Sequence, residues 1–191
     1  MKNSEKMLSA IEAQDLVQAE QWFEKALLED SDSILLDLGE YLESIGFFLQ
    51  AKRIYNKLAP LYSQVNLNLA AIASEDGDLE EAFAYLEEIR SNDPWYVNAL
   101  LIKADLYQME GLPDVAREKL VEASQLSDDP IITFGMAEID FELGNFTQAI
   151  KEYASLDNRT IYEQTGISTY QRIGVSYASL GKFEAAIEFL Q

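Results

Sequence analysis

The 191-residue chain has no histidine and no cysteine, and its 14 lysines and arginines face 34 aspartates and glutamates. Each shortage excludes a class of function. Without imidazole or thiol there is no histidine general base, thiolate nucleophile, His/Cys zinc site, disulfide or acylated cysteine. Acidic side chains alone can be paired in many ways, so no one pair singles out a hydrolytic site. No enzyme, catalytic residue, metal or cofactor is therefore expected. A formal charge of −20 repels phosphate backbones and anionic lipid, which argues against nucleic acid and membrane as partners. No apolar run approaches the roughly 18 residues of a membrane span. The polar start, Met1 to Ala10, also lacks the apolar segment of a secretory signal, so the expected location is cytoplasmic. Glycine (9) and proline (4) are scarce, which leaves long uninterrupted elements.

What is present is repetition. A phrase Gly-x-(Phe/Leu)-x-x-Ala runs from Gly46 to Ala51, Gly77 to Ala82, Gly144 to Ala149 and Gly181 to Ala186. Two variants complete it: Gly111 to Ala116 carries Pro113 at the third place, and Gln14 replaces the glycine before Ala19. The alanines at 19, 51, 82, 116, 149 and 186 are spaced by 32, 31, 34, 33 and 37 residues, a period that predicts paired helices. The glycine marks a turn after a first helix, and Pro113 suits the first turn of a second helix. Phe23, Tyr55, Leu86, Leu120, Tyr153 and Leu190 follow each alanine by four residues, on one helical face. Seven residues before each turn stand Met7, Gly39, Ala70, Ala104, Ala137 and Gly174, mostly small, which permits close helix approach. The acidic run Glu75 to Glu81 fails as a calcium loop, because Ile72 and Ser74 fall on ligand places. It reads instead as the Gly77 turn with Asp78, Glu80 and Glu81 opening the next helix. Asp128-Asp129-Pro130 reads as an N-capping turn.

This set of positions resembles the tetratricopeptide repeat family, most fully in Ala104-Asp105-Leu106-Tyr107 with Gly111, Ala116 and Ala123, and in Gly174 to Tyr177 with Gly181 and Ala186. The resemblance implies an all-α fold, a right-handed α-α superhelix of about five and a half helix pairs. One solenoid domain over residues 1–191 is expected, with repeats near 1–31, 32–62, 63–96, 97–129, 130–166 and an incomplete 167–191. The short last repeat leads to the expectation of an N-terminal portion of a longer, bacterial-type protein. Departures are Asp140 in place of the aromatic before Gly144 and the 37-residue step near Asn158 to Gly166, where an extended turn or longer helix is expected.

The family's partners usually lie along the first helices, which implies a non-enzymatic scaffold that binds a peptide or protein segment in a groove. Offsets of 13, 10, 6 and 3 before each turn share one helical face. They select Leu36, Glu40, Glu43, Leu67, Leu101, Asp105, Gln108, Phe134, Glu138 and Phe141 as groove candidates, and no selected place is Lys or Arg. Members that hold acidic chaperone tails use a Lys/Arg/Asn clamp that these places lack. A neutral-to-basic, partly apolar segment is the expected ligand. The alternative is a structural or self-assembling module, with weak homo-oligomers formed through exposed repeat ends.

Overall fold

The computed structural model describes residues 2–190, which form thirteen α-helices and no strand. They fall into two compact units, one ending at Trp95 and one beginning at Tyr96. The first holds α1 (Asn3–Glu12), α2 (Leu16–Glu29), α3 (Asp32–Ser44), α4 (Phe48–Leu58), α5 (Val65–Glu75) and α6 (Leu79–Glu87). The second holds α7 (Tyr96–Met109), α8 (Pro113–Ser124), α9 (Pro130–Glu142), α10 (Phe146–Ala154), α11 (Asn158–Thr165), α12 (Thr169–Ser179) and α13 (Phe183–Leu190).

Each repeated phrase closes a helical hairpin in one way. The turn residue takes a left-handed φ, 83° at Gly46 and 60° even at Gln14, where a side chain makes that conformation costly. The next amide then reaches back five residues: Asp15 to Ala10, Phe47 to Leu42, Asp78 to Ala73, Leu112 to Tyr107, Asn145 to Asp140 and Lys182 to Tyr177, all at 2.7–2.9 Å. This satisfies a carbonyl that the helix end would otherwise leave open. The second helix starts on a cap, with Asp15 accepting from Gln18 N and Asp78 from Glu81 N, or on Pro113 at its first position. Asp129 caps α9 by accepting from Ile131 N at 3.0 Å.

The pairs are α1/α2, α3/α4 and α5/α6 in the first unit and α7/α8, α9/α10 and α12/α13 in the second. All six phrase alanines are buried, as are Phe23, Tyr55, Leu86, Leu120 and Tyr153. The small residues set the helix spacing: a Cβ on Gly39 would lie 2.8 Å from Tyr55 Cε1. The irregular step differs from expectation, since it is neither an extended turn nor a longer helix but the separate helix α11. Asp157 caps it by accepting from Thr160 N, and Gly166 ends it at φ 73°. Its Ile161 is fully buried, and Asn158 Oδ1 accepts from Thr169 N at 2.8 Å, which ties the insertion to the start of α12.

Candidate functional site

The first helices of each unit carry the candidate residues. In the first unit a cleft opens between α1 and α3, lined by Ser4, Leu8, Ile34, Asp37, Leu38 and Tyr41 among others. Leu36 is half-buried against the core and Glu40 is exposed beside it. Glu43 points inward: it accepts from the Tyr55 hydroxyl at 2.6 Å and from Asn68 Nδ2 at 3.1 Å, joining α3, α4 and α5. Burial and this neighbouring carboxylate push the Tyr55 hydroxyl well above the usual phenol range. Leu67 on α5 is half-buried.

In the second unit Leu101 packs at the edge of a core cluster and Gln108 is half-buried. Asp105 is open to water on one side, yet enough protein surrounds it that desolvation raises its carboxyl. Glu138 on α9 takes a bidentate ion pair from α12, with Arg172 Nε at 2.9 Å and Nη2 at 2.7 Å, and also accepts the Tyr153 hydroxyl. The same guanidinium lies 4.8 Å from the centroid of Phe141, which meets Phe146 edge-on at 5.7 Å.

Two sequence expectations need correction here. Phe134, counted as groove surface, is 7% exposed and lies 6.2 Å from the Tyr153 ring within a core cluster. Spacing assigns it a helical face but not the depth at which its neighbours enclose it. The face is also not free of cations, because Arg172 sits nine residues before its turn glycine, a place the four offsets skipped. Asp37 and Asn68 occupy the same place in their repeats. A helical wheel puts that offset about 40° beyond the edge of the selected arc, near enough that the signal was available. Among the described residues no three carboxylates converge in a group that could hold a metal ion, and no helix is long and apolar enough to cross a membrane.

A second polar cluster explains the departure at Asp140, which is 3% exposed. Arg117 from α8 donates to Asp140 Oδ2 at 2.9 Å and to Glu152 Oε1 at 2.8 Å, and Asn145 Nδ2 donates to Asp140 Oδ1 at 3.0 Å. The aromatic that usually packs here is replaced by an ionic link between consecutive hairpins. Glu152 Oε2 is buried without a hydrogen bond among the described residues. Burial first, and the nearby Asp140, hold the Glu152 carboxyl above the ordinary range against the opposing pull of Gln148 and Arg117.

Hairpins of this geometry, repeated with this register, define an all-helical repeat protein of the solenoid class. Comparison with known proteins agrees: residues 108–161 match the family of YpiA-like tetratricopeptide repeats, and residues 167–191 match the tetratricopeptide repeat itself. The TPR repeat-containing protein YpiA of Bacillus subtilis (strain 168) is 37% identical over 116 residues, covering 59% of this chain. The chain spans 26% of that relative's length. Among solved structures, MamA superposes with a TM-score of 0.65 at 22% identity, covering 83% of this chain and 87% of that one. YrrB, described as a TPR protein with an unusual peptide-binding site, does so at 0.62 and 19% identity, covering 88% of each chain. PilF of Pseudomonas aeruginosa reaches 0.65 at 18%, covering 98% of this chain and 86% of that one. Residues 108–161 and 167–191 therefore carry tetratricopeptide repeats.

Proposed function

We propose that the chain is a non-enzymatic scaffold, working in the cytoplasm, whose first-helix faces hold a neutral-to-basic, partly apolar segment of a protein partner. The observation that carries this reading is on α3. Asp37 and Glu40 have no cationic partner among the described residues, and they lie on the helix that presents Leu36 and the exposed Tyr41 beside the α1–α3 cleft. Unneutralised carboxylates next to apolar surface favour a ligand that brings both a cation and an apolar anchor. Glu43 and Glu138 are already occupied by intramolecular donors, so they shape the face rather than await a ligand. The peptide-binding site ascribed to YrrB, a protein of the same fold, adds support. The net charge of −20 weighs against nucleic acid and anionic membranes as partners.

The test is selection from a displayed library of short random peptides on the full chain. Selected peptides should combine Lys or Arg with Leu or Phe, and Asp37→Lys with Glu40→Lys should weaken them about tenfold or more, with unchanged melting. Selected peptides that bind the double variant with wild-type affinity would remove the α3 face from consideration.

Self-assembly remains the second reading because α13 presents Phe183, Ile187 and Leu190 on one face at 67%, 55% and 52% exposure. Spacings of four and three align them, and exposed apolar faces seek cover. Sedimentation that shows a concentration-dependent dimer, lost in Ile187→Glu, would favour it over the scaffold.

A further inference from the structure

Two carboxylates and one guanidinium meet where the α7/α8 hairpin joins the α9/α10 hairpin. The Asp140 side chain is 4% exposed and that of Glu152 10%, while Arg117, which binds both, is 27% exposed. With both acids ionised, the group would keep an uncompensated negative charge out of water, which is costly. The hydrogen bonds show the same imbalance. Arg117 Nε and Asn145 Nδ2 supply the two oxygens of Asp140, and Arg117 Nη2 and Gln148 Nε2 both go to Glu152 Oε1. The fourth oxygen, Glu152 Oε2, is buried without a donor among the described residues. As a carboxylate oxygen it can only accept; as a hydroxyl it can donate, and the Asp140 carboxylate lies close enough to be the acceptor.

The other charged groups on the elements packed against α9 and α10 are engaged elsewhere or open to water. On α8, Lys119 pairs with Glu122, and Asp114 and Glu118 are exposed. On α12, Arg172 is held by Glu138, as is the Tyr153 hydroxyl of α10, while Tyr170 and Tyr177 pack on Phe189. Arg159 of α11 pairs with Glu163, and Glu142 and Lys151 are exposed. The place of Asp140, four residues before the turn, carries Ala10, Leu42, Ala73, Tyr107 and Tyr177 in the other hairpins. No other repeat puts a carboxylate there.

We propose that Glu152 Oε2 carries a proton shared with Asp140, so that Arg117, Asp140 and Glu152 form a proton-held clasp between consecutive hairpins. With the proton in place the cluster is neutral: one guanidinium, one carboxylate and one carboxylic acid. Burial and the charge of Asp140 both raise the Glu152 carboxyl, in agreement with a proton kept there. When the proton leaves, Arg117 can neutralise only one of two facing carboxylates. Glu152 then turns toward water and α10 loses its tie to α8. The clasp is closed at low pH and loosens as pH rises through the elevated midpoint of Glu152.

Carboxyl carbon NMR of the full chain follows each acid through a pH titration. The Asp140 and Glu152 resonances should move together, at a midpoint above the ordinary glutamate range. Asp140→Asn removes the second charge and keeps an acceptor for Arg117, so the Glu152 midpoint should fall by about 1 pH unit or more. A midpoint unmoved by Asp140→Asn means that burial alone holds the proton, and overturns the sharing. Ordinary titration of Glu152 in the unaltered chain overturns it too and needs no variant to fold. Hydrogen exchange reads the clasp itself: with intrinsic rates normalised, α10 should lose protection above the midpoint in the unaltered chain but not in Glu152→Gln. The same loss in both would show that the proton does not hold the hairpins together.

Discussion

Gln14 and Gly39 show how single residues carry the geometry of whole hairpins. Gln14 stands where five other turns carry glycine at their first place, and it holds φ 60°, a region that L side chains enter at a cost of roughly 1–2 kcal/mol. Gln14→Gly should therefore raise stability by about 0.5–1 kcal/mol, after allowing for glycine's greater freedom in the unfolded chain, as read from the urea midpoint. Gly39 poses the opposite case. Its missing Cβ is required by the Tyr55 ring 2.8 Å away, and that ring is fully buried and anchored to Glu43. Gly39→Ala gains about 1 kcal/mol of helix propensity, but forcing the ring off its rotamer costs about 1–3 kcal/mol. A net loss of stability is expected; an unchanged denaturation curve would mean that the ring yields freely.

Between elements, hairpins are joined by apolar faces and by ion pairs, among them Arg117 to Asp140 and Glu152 and Arg172 to Glu138. Ala116 and Ala149 are fully buried in α8 and α10, so Leu at either place should cost about 1–3 kcal/mol by overpacking, measurable as a lower melting temperature. The Arg117 link makes a sharper prediction. Removing it by Arg117→Ala leaves Asp140 buried without its cation, and breaking such a pair costs about 3 kcal/mol, whereas swapping both partners for apolar residues costs much less. Glu152 adds a pH dependence whose sign follows from its raised carboxyl. The folded chain binds that proton more tightly than the unfolded chain does. The stabilisation it provides is thus complete below the ordinary glutamate range and is lost as pH rises through the elevated value. Glu152→Gln, which keeps the acceptor for Arg117, should flatten this slope. Urea midpoints of both forms, measured from pH 4 upward, check it, and parallel curves would show that Glu152 ionises normally.

For the whole molecule, charge and repetition dominate. A chain of net charge −20 repels itself when folded, so added salt should raise the melting temperature until screening is complete. Stability should also vary along the stack, because each hairpin is held mainly by its neighbours. Hydrogen exchange should be faster in α13, whose face is largely exposed, than in α8, where Ala116, Leu120 and Ala123 are all enclosed. Equal protection of the two helices would contradict a nearest-neighbour account.

The hairpin period, the turn at each glycine, the cap at Asp129, the helix start at Pro113 and the buried alanines were all legible in the sequence. Each is set by interactions within about one helical turn or by a repeat that recurs in register, and such patterns survive in one dimension. The groove candidates were legible as a face but not as a surface. Whether Phe134 is enclosed, whether Glu138 is free, and whether Arg172 lies on its own helix alone or reaches back to Glu138 depend on residues 15 to 34 positions away. The same holds for α11, whose excess residues showed only as a long spacing, and for Arg117, the partner of the Asp140 that stands where an aromatic would have packed. Local sequence determines helix, turn and face, because those are set by backbone sterics and short-range hydrogen bonds. Depth of burial and the pairing of charges were decided by the tertiary structure alone, because they depend on which side chains of neighbouring hairpins meet in space.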